Sequence, residues 1–190
     1  MKYVKTFGLL AVIATALAAS AGTATATTIT SPTGTTYTGE FVAEAAIPVH
    51  IHTAVTTAEC TNSTIRAQIQ SHGSGVTVSG NVTTLTFSGC DAHVQVVTKG
   101  SVVIHHTSGY DGRRTLNGAS FSVSFTSLGI NCTYTTENTQ IGTDTGGSPA
   151  SLDVESAAIP RTGGSFFCGS SGQLTGFYNT TTPNPFLVDS

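Results

Sequence analysis

The chain has 190 residues, only 9% of them charged, and a formal net charge of −3. That length suits one domain. So sparse and acidic a charge set excludes nucleic acid, whose phosphates need clustered Lys and Arg, and excludes electrostatic binding to an anionic membrane surface.

The chain opens with two cations, Lys2 and Lys5, followed by an uncharged apolar run from Phe7 to Ala19 and then small residues. This charged, apolar, small-residue order is the layout of a secretory signal. The run is shorter than the roughly 20 apolar residues of a spanning helix, and no later run is long enough either. Two cleavage signatures follow it. Ala19-Ser20-Ala21 would cut before Gly22, and Ala24-Thr25-Ala26 would cut before Thr27. We take residues 1–26 as the signal peptide and residues 27–190 as one exported domain, secreted, periplasmic or on the cell surface. Loss of Lys2 and Lys5 leaves five basic residues against ten acidic ones, a net charge of about −5.

Ser and Thr exceed a quarter of the chain, and Trp is absent. Hydroxyls thus take the solvent positions that Lys and Glu normally fill, and β-branched Thr suits a pleated surface. Residues 27–36 read as an extended lead-in. Beyond them, alternation with period two marks half-buried strands. Val49, Ile51 and Thr53 oppose His50 and His52; Ile65, Ala67 and Ile69 oppose Arg66, Gln68 and Gln70. Val76 and Val78, Val82 to Phe87, Val94 and Val96, and Val102 and Ile104 continue the pattern. Phe121, Val123 and Phe125 alternate with Ser122, Ser124 and Thr126, and Leu152 and Val154 with Asp153 and Glu155. Leu174, Phe177 and Tyr178 mark a late strand, and Phe186 to Val188 close the chain. Turn dipeptides separate these runs: Ser74-Gly75, Gly80-Asn81, Lys99-Gly100, Asp111-Gly112, Asn117-Gly118, Gly146-Gly147 and Gly163-Gly164. The segment Thr139 to Pro149 reads as a mobile loop, and Arg113-Arg114 as part of a solvated turn beside Asp111. Spacings near ten residues suit a sandwich or barrel. The expected fold is all-β, an antiparallel β-sandwich of immunoglobulin-like or jelly-roll-like type.

Four cysteines, Cys60, Cys90, Cys132 and Cys168, form an even set in an exported chain, which implies two bridges. Of three possible connectivities, Cys60–Cys90 with Cys132–Cys168 is expected. Neither a C-x-x-C nor another close pair suggests metal or redox chemistry.

Chemistry-bearing residues are few. His50-Ile51-His52 puts two imidazoles on one strand face, the weak candidate for a metal site, with His93, His105 or His106 as possible third ligands. No nucleophile elbow and no phosphate loop occurs; Gly73-Ser74-Gly75 and Gly169-Ser170-Ser171 read as turns. Asp153 and Glu155 share a strand face and read as its wet side. No catalytic residue and no cofactor is expected, and the protein is read as a non-enzyme.

Two stretches carry a resemblance. They are Ser151-Leu152-Asp153-Val154 continuing to Ile159-Pro160-Arg161-Thr162-Gly163-Gly164-Ser165-Phe166-Phe167-Cys168, and the ending from Leu174 to Val188. With Ser88-Gly89-Cys90 they resemble, in pattern over about residues 36–188, small exported bacterial proteins of the "protein activator of alkane oxidation" type. The chain departs from that type in having no Trp near Gly172-Gln173-Leu174. The resemblance implies a helper outside the cytoplasm in contact with hydrophobic substrate or the cell surface, and supplies no catalytic residues. The chain is also similar to subunits of chaperone–usher pili, with residues 27–43 as the donor strand. The leading expectation is a non-enzymatic secreted or cell-surface protein acting in adhesion, matrix or contact with apolar substrate. Its partners would be further copies of itself or cell-surface and matrix components. A fibre subunit and a small ligand- or metal-binding module are the alternatives.

Overall fold

The structure, a computed structural model, describes residues 26–70 and 76–190. Nearly all of the expected signal peptide and the Gly73-Ser74-Gly75 turn lie outside the described residues. Fourteen strands are present among the described residues: β1 (Thr28–Thr30), β2 (Glu40–Ala45), β3 (Val49–His52), β4 (Thr57–Ile69), β5 (Val78–Cys90), β6 (His93–Thr98), β7 (Ser101–His106), β8 (Gly112–Asn117), β9 (Ser120–Phe125), β10 (Ile130–Thr135), β11 (Thr139–Thr145), β12 (Ala150–Gly164), β13 (Ser171–Thr182) and β14 (Leu187–Asp189).

All ladders are antiparallel, and they close on themselves. One ring runs β2–β4–β5–β7–β8–β11–β12–β13 and back to β2. The expected β-sandwich is therefore corrected to an eight-stranded up-and-down barrel. Two separate sheets would leave β13 with an edge, whereas β13 pairs with β12 on one side and with β2 and β3 on the other. That non-local pairing leaves no local trace in the chain.

The barrel is two storeys tall. The long strands β4, β5, β12 and β13 run through both storeys. The other four staves are short strands placed end to end: β2 with β3, β6 with β7, β8 with β9, and β10 with β11. The lower storey follows β3–β4–β5 on one side and β6–β9–β10–β12–β13–β3 on the other. Between β5 and β6 the described residues form a two-residue turn and no ladder.

The breaks fall at one height and form a waist. Gly100 (φ 73°) packs so closely on the Asn117 carbonyl that a Cβ there would lie 2.3 Å from it. Thr136 Oγ1 accepts from the Ala119 amide at 2.9 Å and so ties the next two breaks together. In β12 the register shifts between Val154 and Ala157, with Ser156 at φ 49°. Bulges of this kind add twist and re-phase a long strand: Leu152 and Val154 point inward above the bulge, Ala157 and Ile159 below it.

The interior is apolar and filled. Two adjoining cavities of about 20 Å³ each remain, lined among others by Ile65, Leu85, Leu116 and Ile141. Apart from Arg114, Asp144, Ser63 and a few buried Thr and Ser residues, polar side chains face outward, the reverse of the alternation in a membrane-spanning barrel. No helix among the described residues is long and apolar enough to cross a membrane.

The upper end is capped. The lead-in expected over residues 27–36 supplies β1, which pairs with β14 across that mouth. The Val188 amide donates to the Tyr110 carbonyl at 3.0 Å. Beneath the cap lies a fully buried ion pair. Arg114 donates to Asp144 through Nε at 3.1 Å and Nη2 at 2.5 Å. The guanidinium stacks 4.1 Å from the Phe41 ring centre, and Phe41 packs edge-on against Phe186. Burial pushes the Asp144 carboxyl above its ordinary range, while Arg114 pulls against it.

This pair corrects two expectations. Arg114 belongs to β8 and is 1% exposed, not solvated in a turn. Thr139 to Thr145 is strand β11, not a mobile loop. Asp144 occupies an inward position there, so the expected apolar residue is missing from the pattern.

Two predictions follow from the interior. Removing one member of a buried pair strands the other charge, so Asp144→Ala should cost about 3–5 kcal/mol in urea unfolding. The double variant Arg114→Met/Asp144→Leu should recover most of that loss. Tyr178, 1% exposed, donates to Ser63 Oγ at 3.0 Å, and burial pushes its hydroxyl up to about 12, against the weaker lowering by Ser63. A folded pKa raised above the unfolded 10 favours the native state fully below pH 10 and ever less toward pH 12. Stability measured across that window should fall by about 2–3 kcal/mol from this group, and Tyr178→Phe should flatten the fall.

Candidate functional site

Four connections meet at the lower end of the barrel: residues 53–56 between β3 and β4, Asp91-Ala92 between β5 and β6, residues 126–129 between β9 and β10, and residues 165–170 between β12 and β13. The third and fourth contain short 3-10 turns, Thr126–Leu128 and Phe166–Cys168. Among the described residues eight large apolar side chains are exposed, and four of these tip this end: Val55, Leu128, Phe166 and Phe167. Phe166 is 75% exposed and Phe167 52%. Their rings lie 3.9 Å apart. The three turns that carry these side chains contain no charged residue.

The turns are braced from within the barrel. The structure carries the bridges Cys60–Cys90 and Cys132–Cys168, the pairs expected from the sequence, and both lie in the lower storey. Cys168 closes the Phe166-Phe167 turn, so its bridge ties that turn to β10. Ser165 Oγ accepts from the Phe167 amide at 3.4 Å, and the Ser165 amide donates to the Asn131 carbonyl at 2.8 Å. Arg161 donates to the Ser165 carbonyl at 2.8 Å, and the Tyr134 hydroxyl to the Cys168 carbonyl at 3.2 Å. A Cβ on Gly169 (φ 73°) would lie 2.9 Å from Ala54 Cβ, which shows how closely the fourth turn packs on the first. The first turn is closed by Thr53 Oγ1, which donates to the Thr56 carbonyl at 2.7 Å. Apolar tips held this way lose little conformational freedom on contact.

A second feature lies at the waist. A groove of about 450 Å³ opens between the β12 bulge and the break between β2 and β3. Its walls include Ile47, Pro48, His50, Asp153, Glu155 and Phe177. The structure thus brings together His50, Asp153 and Glu155, three residues the sequence singles out separately. His52 lies beyond them, its ring stacked on His50 with centres 5.9 Å apart. His50 Nδ1 is 3.7 Å from a Glu59 carboxylate oxygen, and His52 Nδ1 is 2.8 Å from Thr57 Oγ1. Neither His93 on β6 nor His105 and His106 on β7 joins them. Among the described residues no three His, Cys, Asp or Glu side chains are grouped to hold a metal ion.

The proposed donor segment, residues 27–43, is used within its own chain. β1 pairs with β14, and β2 lies between β13 and β4. The apolar tips were not singled out in the sequence, yet a signal is present. Two adjacent Phe residues stand between Gly163-Gly164-Ser165 and Gly169, a turn-rich setting in which a large apolar pair is out of place.

No protein-family model, no curated protein and no solved structure matches this chain.

Proposed function

We propose that this protein is a non-enzymatic secreted or cell-surface domain that works by contact with an apolar surface. The observation that carries the reading is the lower end of the barrel, where Val55, Leu128, Phe166 and Phe167 stand on uncharged turns just beyond both disulfides. Disulfides persist in oxidising compartments outside the cytoplasm, where such a surface would be met. The resemblance to exported helpers of alkane oxidation fits the same role, as do adhesion and matrix contact. The filled interior offers no room for a sizeable ligand, which directs attention to the outside. The waist groove favours a second reading, a small ligand-binding module using His50, Asp153, Glu155 and Phe177.

Partitioning of the mature protein between buffer and hexadecane droplets tests the first reading. A buried Phe side chain is worth about 1.5–3 kcal/mol, and each 1.4 kcal/mol is tenfold. Phe166→Ser/Phe167→Ser removes two such side chains and should therefore weaken partitioning about 100-fold or more. Both side chains are exposed, so circular dichroism should be unchanged. Equal partitioning of variant and parent, or a parent indifferent to oil, would defeat the reading.

A further inference from the structure

The waist groove that favours a ligand-binding module is selective in its chemistry. It forms where two irregularities meet on the outer face. At the β12 bulge both Val154 and Ala157 point inward, which leaves Glu155 and Ser156 together outside. An unbroken strand would turn one of them in. On the far side of β13 the chain passes from β2 to β3 through Ala46-Ile47-Pro48, and Ile47 is 54% exposed. Between the two, β13 presents Phe177 opposite Asp153 and Thr175 opposite His50.

The groove carries acid without a counter-ion. Asp153 and Glu155 line it, and no Lys or Arg does. Three ion pairs are present among the described residues, and neither carboxylate enters one. The cation in register with Asp153 is Arg113, beyond Thr143 on a strand about 10 Å away. Two carboxylates on one side of a concave surface set up a negative potential that favours a positive ligand. Beside them Ile47, Pro48 and Phe177 supply apolar surface, and an aromatic face itself attracts a cation. The volume of about 450 Å³ suits a small molecule. Among the described residues no metal-ligand set is grouped there, so the chemistry matches an organic cation better than a bare ion.

We propose that the waist groove binds a small organic cation, an ammonium carried on an apolar body, with the ammonium at Asp153 and Glu155 and the body against Ile47, Pro48 and Phe177. An ammonium has three protons to donate, and ionised carboxylates are pure acceptors. The inference rests on the reading of this groove as a ligand site.

The test is calorimetric titration of the purified protein with three probes of one shape: phenethylammonium chloride, phenethyl alcohol and hydrocinnamate. The ammonium should give a saturable heat, the alcohol a much weaker one and the anion none. Each hydrogen bond to a charged group is worth about 1.5–3 kcal/mol, so Asp153→Asn/Glu155→Gln should weaken the ammonium about 10- to 100-fold, to the level of the alcohol. Asp189→Asn removes an acid at the capped end and should bind like the parent. Circular dichroism of both variants should match the parent, since these carboxylates stand on the outer face. Equal or tighter binding of the alcohol or the anion, or an ammonium indifferent to the double variant, would overturn the proposal and leave the ligand-site reading standing. No saturable heat from any of the three would sink that reading as well.

Discussion

β13 is held by β12 along one edge and by β2 and β3 along the other, and this double pairing turns a curved sheet into a ring. In the upper storey closure removes sheet edges, whose unpaired backbone groups would otherwise recruit other chains; the lower storey keeps one gap, between β5 and β6. Closure also divides every strand into an inner and an outer set of side chains. Val49, Ile51, Val123, Leu152 and Tyr178 fill the interior, while Ser, Thr, Asn and Gln take the outside. Strands of 12 to 15 residues cannot run straight around so narrow a ring. Twist accumulates along them, and the waist of breaks and bulges absorbs it.

A closed and filled ring leaves its two ends as the places where the molecule differs most from a plain cylinder. The upper mouth is sealed by β1 and β14 over the Arg114–Asp144 pair, with Phe41 and Phe186 completing the seal. Such a pair gains little net stability over apolar packing but is costly to leave half-made. The lower end is built the other way. It has apolar tips, no charge on three of its four turns, and both disulfides close behind them. Bridges limit the unfolded chain and stiffen what they join; their position here favours the end that carries the exposed aromatic pair.

Much of the fold was legible in the sequence because strands announce themselves locally. The alternations at Val49–His52, Ile65–Ile69, Phe121–Phe125 and Leu152–Glu155 each lie in strands of the barrel, and the cysteine spacing suggested the pairing found. Three features were hidden. Barrel and sandwich share the same alternation, and only the pairing of β13 with β2 and β3 separates them. Strand β11 was masked by Asp144, a charged residue facing inward, whose partner Arg114 lies 30 positions away. The groove was masked because His50 and Asp153 come from opposite ends of the sequence and meet only when the ring closes. The tip end was half legible, in the Phe166-Phe167 pair, but its convergence with Val55 and Leu128 depends on three separate hairpins ending at the same level.

The chain contains no Trp, so a single introduced indole reports its own surroundings without background. Leu128→Trp places that reporter at the lower end and Tyr110→Trp at the capped end, both at exposed positions. On addition of a hexadecane emulsion, the emission of Leu128→Trp should shift to the blue while that of Tyr110→Trp stays as in buffer. An equal shift at both ends, or a shift at Tyr110→Trp alone, would contradict contact through the disulfide-braced apolar tips.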